Sequence, residues 1–278
     1  MSEPSVKCDE CLARLSERLR DAALATLDSL EWLAEVDSTN TRLLAQACPV
    51  HARVLIADQQ SAGRGRLGRV WSSSRANAML LSVALPLRGG LAAAQSLSIA
   101  VGVVLVEALH EQGVDSVRLK WPNDLIVGEH KLGGVLIELS SAPQPFVVIG
   151  VGLNLYDAPA VDRPTTDLAR CGLDCRALDR RIELFAACVL ALRNLDVNWL
   201  QADTRKREQL LERWCLHHAY QDCEVILELD GRVLQGRVQG IDSHGALQVA
   251  HVVPDAPGKF KVTSYHSGEV RLRGVRYG

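Results

Sequence analysis

The sequence is poor in aromatic residues and in methionine. Phe, Trp and Tyr make up 4% of its 278 residues, and there are only two methionines. Because 47% of the residues are nonetheless hydrophobic, aliphatic side chains must fill most of the core. Low-complexity stretches and long polar repeats are also absent, which excludes an intrinsically disordered chain. The length suits one sizeable domain plus a small one.

Strong net charge and a long apolar run are missing as well. The formal net charge is -2, whereas proteins that bind duplex DNA usually carry a basic excess. The N-terminus lacks the basic start and apolar run of a signal peptide. The most apolar stretch, 91–109, is interrupted by Gln95, Ser96, Ser98 and Glu107, which disfavours a membrane span. We therefore expect a cytoplasmic protein that binds neither DNA nor membranes.

The eight cysteines are scattered along the chain. A chain of this length does not need disulfides to fold, so reduced thiols are expected. Cys8 and Cys11 form a CxxC, and Cys171 and Cys175 form a CxxxC, spacings that can suit zinc. Since no histidine lies near either pair, zinc is the minor alternative, and the metal ligands are left unassigned.

The pattern of apolar residues predicts two regions that differ in secondary structure. Up to about Leu216, strands alternate with helices, and helical spacing runs over Cys8–Leu30, Leu91–Gln112 and Leu178–Trp214. The chain after Tyr220 offers five short strand candidates, which predicts a small barrel. The predicted strands are Arg53–Asp58, Asn77–Leu85, Val117–Trp121, Leu125–Val127, Lys131–Leu139, Phe146–Leu153, Cys223–Leu229, Arg232–Ile241, Leu247–His251, Lys259–Ser264 and Val270–Arg273.

A loop rich in glycine and arginine follows the first predicted strand. Its sequence, GRGRLGR over Gly63–Arg69, matches the G-x-G-x-x-G pattern of dinucleotide-binding folds. Two features oppose that interpretation: no apolar helix begins after the loop, and no acidic residue lies about 20 positions on to bind a ribose. Glycine lets the backbone approach a ligand, and arginine clamps phosphate or carboxylate groups. The loop is therefore interpreted as an anion-gripping segment, with an exposed basic turn as the plainer alternative.

Three further segments combine cations, glycines and polar side chains. In Lys120–Leu125 (KWPNDL), Asp124 can bind a metal–nucleotide or accept a proton from an amine. In Lys131–Gly134 (KLGG), the lysine can stabilise developing negative charge where the backbone also approaches a ligand. In Gly150–Asn154 (GVGLN), the glycines leave space for a planar ligand, and Asn154 can bind an adenine edge. Taken singly, a hairpin corner would also explain Lys120–Leu125, and close strand packing with Asn154 as a turn former would also explain Gly150–Asn154.

Taken in order, these motifs resemble those of the biotin protein ligases, the biotin–[acetyl-CoA-carboxylase] ligases. The resemblance covers Val36 to the C-terminus. Near the end of the chain, GIDSHGAL and GEVRLRG resemble the SH3-like domain of that family. The motifs that carry the resemblance are DSTN (37–40), QSAGRGRLGRVW (60–71), KWPNDL (120–125), KLGGVLIE (131–138) and GVGLN (150–154).

The resemblance implies an α+β fold. It consists of a mixed-sheet, class II synthetase-like catalytic domain flanked by helices, followed by a small all-β SH3-like barrel. On this basis residues 1–31 form an N-terminal helical extension, residues 32–215 the catalytic domain that binds biotin and ATP, and residues 216–278 the SH3-like domain. With only about 30 residues ahead of the catalytic region, no DNA-binding domain of the winged-helix kind is expected.

The resemblance also implies a two-step reaction. Biotin attacks the α-phosphate of ATP to give biotinyl-5′-AMP and pyrophosphate, and a lysine of a biotin carboxyl carrier protein domain then takes the biotin. Because attack joins two anionic partners, cationic side chains and Mg²⁺ must offset their repulsion. The matching motifs imply that Lys131, Arg66 and Asp124 are the catalytic residues. Binding of biotin and its adenylate falls to Ser38, Thr39, Asn40, Gln60, Arg64, Gly65, Arg66, Lys131, Gly134 and Gly150, and nucleotide binding to Arg66, Lys131 and Asn154.

Other functions remain as alternatives. A lipoate or acyl-chain ligase would keep the fold and change the substrate, and KWPNDL argues against it. A non-catalytic sensor of biotin or nucleotide would not need Lys131, Arg66 and Asp124. No G-x-S-x-G elbow, P-loop or H-E-x-x-H motif is present, so serine hydrolase, P-loop NTPase and zincin activities have no support. Members of the family often pair through the central sheet, so a homodimer stays open.

Overall fold

The structure is a computed structural model that describes residues 8–87, 97–140, 143–161, 163–197, 204–229, 232–253, 259–266 and 270–274. Its helices are α1 (Cys8–Leu24), α2 (Thr39–Leu44), α3 (Leu97–Glu111), α4 (Leu178–Arg193) and α5 (Thr204–His217). Its strands are β1 (Leu27–Leu33), β2 (Ala52–Ala57), β3 (Ala78–Pro86), β4 (Arg118–Lys120), β5 (Asp124–Val127), β6 (His130–Leu139), β7 (Phe146–Asn154), β8 (Glu224–Leu229), β9 (Arg232–Ile241), β10 (Leu247–Val252), β11 (Phe260–Tyr265) and β12 (Val270–Gly274).

A seven-stranded mixed sheet forms the larger part of the molecule. Its strand order is β1-β2-β3-β7-β6-β5-β4. The β1–β2 pair is parallel, and the other neighbours are antiparallel. The central strands β3 and β7 are almost wholly buried, which explains why both read as near-continuous apolar runs in the sequence. The predicted mixed-sheet α+β fold is confirmed.

The two faces of this sheet are covered differently. On one face, α4 packs against both α1 and α3, and all three helices contact the sheet. Helix α3 lies deepest, with ten of its fifteen residues buried, so it is apolar nearly all round. The opposite face carries the short helix α2, which contacts β2, β3 and β7. The polar side chains of the candidate site therefore gather on the face that α2 covers only in part.

The N-terminal segment differs from its prediction. Helical spacing was expected to run to Leu30, but α1 ends at Leu24 and the chain continues as β1 from Leu27. Pairing with β2 from Leu27 onward overrides the weak helical periodicity there, because the tertiary context of a strand outweighs local propensity. Cys11, Leu15 and Leu19 of α1 are buried in the main core, so this helix is part of the packed structure.

The other elements lie close to their predicted positions. Strands β2 to β12 each overlap the segment predicted for them, and α4 and α5 divide the predicted helical region 178–214. The predicted helix over Leu91–Gln112 is confirmed from Leu97, and residues 91–96 lie outside the described residues. In the described part of the chain, no helix has the length and apolar content needed to cross a bilayer.

A five-stranded antiparallel sheet follows α5, with the order β11-β10-β9-β8-β12. It joins the larger sheet through buried contacts. The indole Nε1 of Trp121 donates to the carbonyl of Gly245 at 3.1 Å, and the amide of Ala219 donates to the carbonyl of Leu119 at 2.8 Å. The first bond connects the KWPNDL segment to the turn between β9 and β10, and the second connects β4 to the chain that follows α5.

A buried histidine lies at this junction. His218 is 4% exposed and stacks on Trp214 with 4.3 Å between ring centroids. Among the described residues, neither of its ring nitrogens meets a hydrogen-bond partner. Burial lowers the pKa of His218 to about 3, so the folded protein holds the neutral ring.

This histidine predicts a loss of stability in acid. The pKa of His218 in the folded protein lies below its value in the unfolded chain. The contribution of His218 to the free energy of unfolding is therefore complete above about pH 6.5, and it is lost as the pH falls towards the folded pKa. We expect the free energy of unfolding in urea to fall by about 2 kcal/mol more in the wild type than in His218→Phe between pH 6.5 and pH 5. Phenylalanine keeps the stacking on Trp214. An equal fall in the free energy of unfolding for the two proteins between pH 6.5 and pH 5 would contradict the prediction.

Candidate active site

The register of the larger sheet brings the sequence motifs together on one face. Ser82 on β3 pairs with Gly150 on β7, and Leu80 pairs with Gly152. Gly152 in turn pairs with Gly134 on β6, and Gly134 pairs with Asp124 on β5. Since directly opposed residues share a face, these positions form two adjacent rows. The glycines in the rows lower the surface of the sheet to a concavity, which side chains of neighbouring segments fill in part.

A cavity of about 1080 Å³ occupies this concavity. The glycine- and arginine-rich loop, the KWPNDL segment and the start of α2 surround it. Glu228 and Val233 of the C-terminal domain complete its wall. Its size and its mixture of polar and apolar side chains suit an organic ligand held together with a nucleotide.

A buried polar network forms one end of the cavity floor. Gln60 accepts hydrogen bonds from the backbone amide of Thr39 at 2.8 Å and from its hydroxyl at 3.0 Å. Beneath them, the Ser82 hydroxyl lies 2.7 Å from Thr39 Oγ1 and 2.6 Å from Asn40 Oδ1. The Asn40 Nδ2 atom donates to Glu138 Oε2 at 2.8 Å.

This network has more acceptors than protons. Its three oxygen–oxygen contacts share the two hydroxyl protons of Thr39 and Ser82, because the side-chain oxygens of Gln60 and Asn40 can only accept. The amide orientations are set by their other partners, the Thr39 amide and the Glu138 carboxylate. One of the three oxygen–oxygen contacts therefore has no hydrogen atom between its two oxygens. These oxygens can accept a hydrogen bond from a ligand that carries N–H groups.

A β-bulge places the key lysine. The register between β5 and β6 shifts after Leu125, so that Ile126 pairs with Lys131 while Asp124 pairs with Gly134. Without the extra residue, Lys131 and Gly134 would lie on opposite faces, being three apart in one strand. The bulge puts both on the cavity face, where Lys131 Nζ lies 2.5 Å from Asp124 Oδ1.

Lys131 and Asp124 form a half-buried ion pair. The side chains are 12% and 20% exposed, and Arg163 approaches the second carboxylate oxygen at 3.7 Å. Burial lowers the pKa of Lys131, while the charge and hydrogen bond of Asp124 act in the opposite direction. The carboxylate thus helps to keep a cation in a partly desolvated position, where it interacts strongly with a phosphate or carboxylate oxygen.

The glycine- and arginine-rich loop folds back on itself over the cavity. Arg64 and Val70 form an antiparallel bridge, and Arg66 begins a single turn of 3-10 helix that ends at Gly68. The φ of Gly68 is +71°, a region that favours glycine. Arg66 Nη1 donates to Asn123 Oδ1 at 3.2 Å. Arg66 lines the cavity, where burial lowers its pKa and the charge of Asp124 opposes that shift.

The space above two glycines is filled by side chains of the protein itself. The indole of Trp71 covers Gly152, so a Cβ there would lie 2.6 Å from the ring, and Asn40 lies directly against Gly150. The indole nitrogen of Trp71 is buried and, among the described residues, meets no hydrogen-bond partner. The planar group over this strand is therefore the tryptophan, which lies as a wall between the polar floor and Lys131.

Comparison with known proteins identifies the family. Residues 32–154 match the Biotin/lipoate A/B protein ligase family, and residues 223–273 match the Biotin protein ligase C terminal domain. The chain is 34% identical to the bifunctional ligase/repressor BirA of Salmonella typhimurium, over 87% of this chain and 74% of that protein. The chain belongs to the biotin protein ligase family.

Two further relatives agree with this. The biotin–[acetyl-CoA-carboxylase] ligase of Mycobacterium tuberculosis is 36% identical over 64% of this chain and 70% of its own length. The structure of the Aquifex aeolicus biotin protein ligase, solved with biotin and ATP, superposes with a TM-score of 0.67. It is 26% identical, over 89% of this chain and all of that chain.

Eleven of the twelve residues predicted to act in the ligase reaction line this cavity. They are Ser38, Thr39, Asn40, Gln60, Arg64, Gly65, Arg66, Asp124, Lys131, Gly134 and Gly150. The twelfth, Asn154, follows Gly152 on the same face of β7 but does not line the cavity. Its Nδ2 atom is buried and donates to the carbonyl of Thr166 at 2.9 Å. A role for Asn154 in adenine binding stays a prediction.

Several side chains in the ligase site were not among the predicted residues. Ser82 is the one polar residue in the buried strand β3, and that isolation was a usable signal. Trp71 and Glu138 are the last residues of two of the motifs. Their partners in the site are distant in sequence, so the motifs alone did not show these contacts. Glu138 accepts from Arg64 at 2.7 Å as well as from Asn40. Arg163 lies in a loop whose sequence carries no recognisable motif.

Resident metal ligands are scarce in this site. Across the described ranges, no group of three or more His, Cys, Asp or Glu residues is arranged to hold an ion. Asp124 is the carboxylate nearest Lys131, and its charge is already balanced by Lys131 and Arg163. A single carboxylate of this kind fits Mg²⁺ that arrives bound to the phosphates of ATP, as the metal is often held in nucleotide sites.

The Ser82 hydroxyl provides a test of the polar floor. Ser82→Ala removes the group that holds Thr39 and Asn40 in place, and the loss of one such hydrogen bond corresponds to roughly a tenfold weaker interaction. We expect KM for biotin in pyrophosphate release to rise about tenfold, with KM for ATP unchanged. Ser29→Ala on β1, outside the cavity, is the matched control. Equal biotin KM values in Ser82→Ala and wild type would exclude this role.

Proposed function

We propose that this protein is an ATP-dependent biotin protein ligase. It forms biotinyl-5′-AMP and transfers biotin to a specific lysine of a carrier protein, such as the biotin carrier domain of acetyl-CoA carboxylase. The observation that carries the proposal is the pairing, within one cavity, of an acceptor-rich floor and a buried cationic centre. The floor suits the two ureido N–H groups of biotin, and the centre formed by Lys131 and Arg66 suits its carboxylate and a phosphate.

The polar floor also bears on the choice between ligands. Thr39, Asn40 and Gln60 line the floor, and their oxygens can accept hydrogen bonds from a ureido ring. The dithiolane ring of lipoate and the chain of octanoate carry no N–H groups, so neither can donate to these oxygens. Biotin gains hydrogen bonds here that lipoate and octanoate cannot form, which favours biotin.

In the first step the residues of the cavity bring two anions together. Lys131 and Arg66 offset the repulsion between the attacking carboxylate and the α-phosphate, and Mg²⁺ enters with ATP as part of the substrate. Asp124 positions the Lys131 ammonium through the 2.5 Å contact. Charge that is fixed in place before the reaction costs no reorganisation as the transition state forms.

In the second step an amine replaces AMP. The carrier lysine must lose a proton as it attacks the mixed anhydride, and Asp124 is the nearest carboxylate to the cationic centre that can orient this amine. Its second oxygen faces Arg163 at 3.7 Å, which is longer than a direct hydrogen bond. We assign Asp124 the orienting role on this basis.

The setting of the reaction is part of the proposal. A cytoplasmic location agrees with the eight free cysteines. The Salmonella relative is named a repressor as well as a ligase, and we propose the ligase activity alone for this chain. The absence of DNA binding stays a prediction from the net charge of -2, and pairing of two copies stays open.

The deciding experiment is pyrophosphate release from the purified protein with ATP and Mg²⁺, with biotin, lipoate and octanoate compared. We expect release with biotin alone, followed by transfer of labelled biotin to a biotin carrier domain. Release with lipoate or octanoate instead of biotin would keep the fold and change the substrate. Tight biotin binding without release of pyrophosphate would point to a sensor and overturn the proposed activity.

A further inference from the structure

Glu138 lies beside the polar floor of the cavity without lining the cavity itself. On β6 it follows Gly134 and Leu136 at a spacing of two residues, so all three lie on the same face of the sheet. Its Oε2 atom accepts hydrogen bonds from Asn40 Nδ2 at 2.8 Å and from Arg64 Nη2 at 2.7 Å. A single carboxylate oxygen therefore joins the floor to the glycine- and arginine-rich loop.

The carboxylate holds the side-chain amide of Asn40 in one orientation. This side chain lies across Gly150, between Ser82 on β3 and Glu138 on β6. Because a carboxylate can only accept, the nitrogen of the amide must face Glu138, and its oxygen must face Ser82. The carbonyl of Leu136 also faces this nitrogen, but at 3.4 Å it is the weaker partner. Glu138 thus determines which atom of Asn40 the rest of the floor meets.

The opposite orientation of this amide would supply the hydrogen atom that the floor lacks. The nitrogen of Asn40 would then donate to the Ser82 hydroxyl, which would be free to donate to Thr39. The Thr39 hydroxyl would in turn donate to Gln60, and every contact of the chain would contain a hydrogen atom. With Glu138 in place, two hydroxyl hydrogens serve three contacts. The carboxylate therefore keeps the floor short of one donor.

A floor that is short of a donor favours a ligand that supplies one. Thr39, Asn40 and Gln60 line the cavity, so an N–H group of a ligand can donate directly to their oxygens. The gain is largest where the protein itself offers the acceptor no hydrogen atom, because an unmade buried hydrogen bond is costly. The ion pair with Arg64 keeps the carboxylate in place, and the side chain of Glu138 is only 24% exposed.

We propose that Glu138 is a positioning residue that makes the floor selective for a ligand with N–H groups. It acts through the amide of Asn40 and does not itself touch the ligand. The inference rests on the proposed function, and it names what sets the choice of the first substrate, a ureido ring in place of a dithiolane ring or an alkyl chain.

The test is the Kd of biotin, measured by calorimetry in the absence of ATP. We expect Glu138→Ala to raise this Kd about tenfold, as for the loss of one hydrogen bond. Glu138→Gln is expected to restore most of the affinity, because its amide oxygen can still accept from Asn40. The matched control is Glu183→Ala, which removes a carboxylate that pairs with Arg180 on α4, outside the cavity. It should bind biotin as wild type does.

A rescue variant separates this role from general support of the structure. In Glu138→Ala/Asn40→Asp the side chain at position 40 keeps its shape but carries two oxygens, so it cannot offer an N–H group to Ser82. The floor is again short of a donor, and we expect the Kd of biotin to return to within about threefold of wild type. A purely structural loss at Glu138 would not be repaired by a change at Asn40.

Three results would overturn the inference. They are unchanged biotin binding by Glu138→Ala, a rescue variant that binds no better than Glu138→Ala, and equal losses in Glu138→Gln and Glu138→Ala, which would assign the effect to the charge beside Arg64. Glu138→Met, of similar length but without a strong acceptor, replaces Glu138→Ala if urea unfolding shows that the latter does not fold. If wild type itself does not bind biotin, the proposed function is wrong. Normal binding and pyrophosphate release by wild type, with no effect of the variants, would overturn this inference alone.

Discussion

Lys131→Ala will reduce biotin-dependent pyrophosphate release by about a thousandfold, in line with removal of one preorganised group that stabilises transition-state charge. The ammonium is 12% exposed and lies 2.5 Å from Asp124, so no water-exposed lysine can take its place. Its loss also leaves the Asp124 carboxylate beside the reacting anions, balanced only in part by the more distant Arg163 and by Arg66. The repulsion that Lys131 offsets is then increased by a further negative charge.

Two companion variants separate these effects. In Lys131→Ala/Asp124→Asn the uncompensated carboxylate is removed as well, and we expect a partial recovery of the rate. Lys261→Ala, an exposed lysine on β11 outside the cavity, controls for loss of a positive charge and should keep full activity. Urea unfolding of each variant checks that the fold is retained. Normal pyrophosphate release by Lys131→Ala would remove Lys131 from the mechanism.

The order of elements was largely readable from the sequence because most elements have an unambiguous apolar period. The buried strands β3 and β7 are short apolar runs, and the strands after Tyr220 are bounded by turn signals. Helix α1 was extended too far, to Leu30, because periodicity alone cannot show that Leu27 to Leu33 pairs with a strand that lies 25 residues later in the chain. Such non-local pairing is visible only in the fold.

The site was predicted as a set of motifs, and the structure shows what joins them. Lys131 and Gly134 were both assigned to the ligand, yet only the bulge in β6 explains how both reach one face. Ser82, Glu138 and Arg163 were missed because their importance depends on neighbours far away in sequence. Asn154 was predicted to bind an adenine edge, and the structure shows that its amide also donates to the carbonyl of Thr166. The motifs thus predicted which residue types act in the site, whereas the contacts between residues of different motifs are visible only in the structure.

The position of Arg66 explains why the loop should control release of the adenylate. Its guanidinium is directed to Asn123 while its backbone carbonyl accepts from the Arg69 amide at 3.2 Å, so the same residue closes the loop and faces the cavity. Leu67, which follows it, has a positive φ of 55°. The loop is therefore held in an unusual backbone conformation by its own turn and by the contact of Arg66 with the KWPNDL segment.

Arg66→Gly is accordingly expected to speed the dissociation of biotinyl-5′-AMP about a hundredfold, the equivalent of two charge-assisted hydrogen bonds of roughly 1.5 kcal/mol each. Dissociation is measured by chasing preformed, labelled adenylate with excess unlabelled ligand. Arg66→Ala removes the guanidinium without adding backbone freedom, so it should account for most of the effect, and Arg66→Lys should restore part of it through its charge. If Arg66→Gly alone speeds release, the loop conformation controls the adenylate and the guanidinium does not. An off-rate equal to that of wild type in all three variants would rule out the clamp.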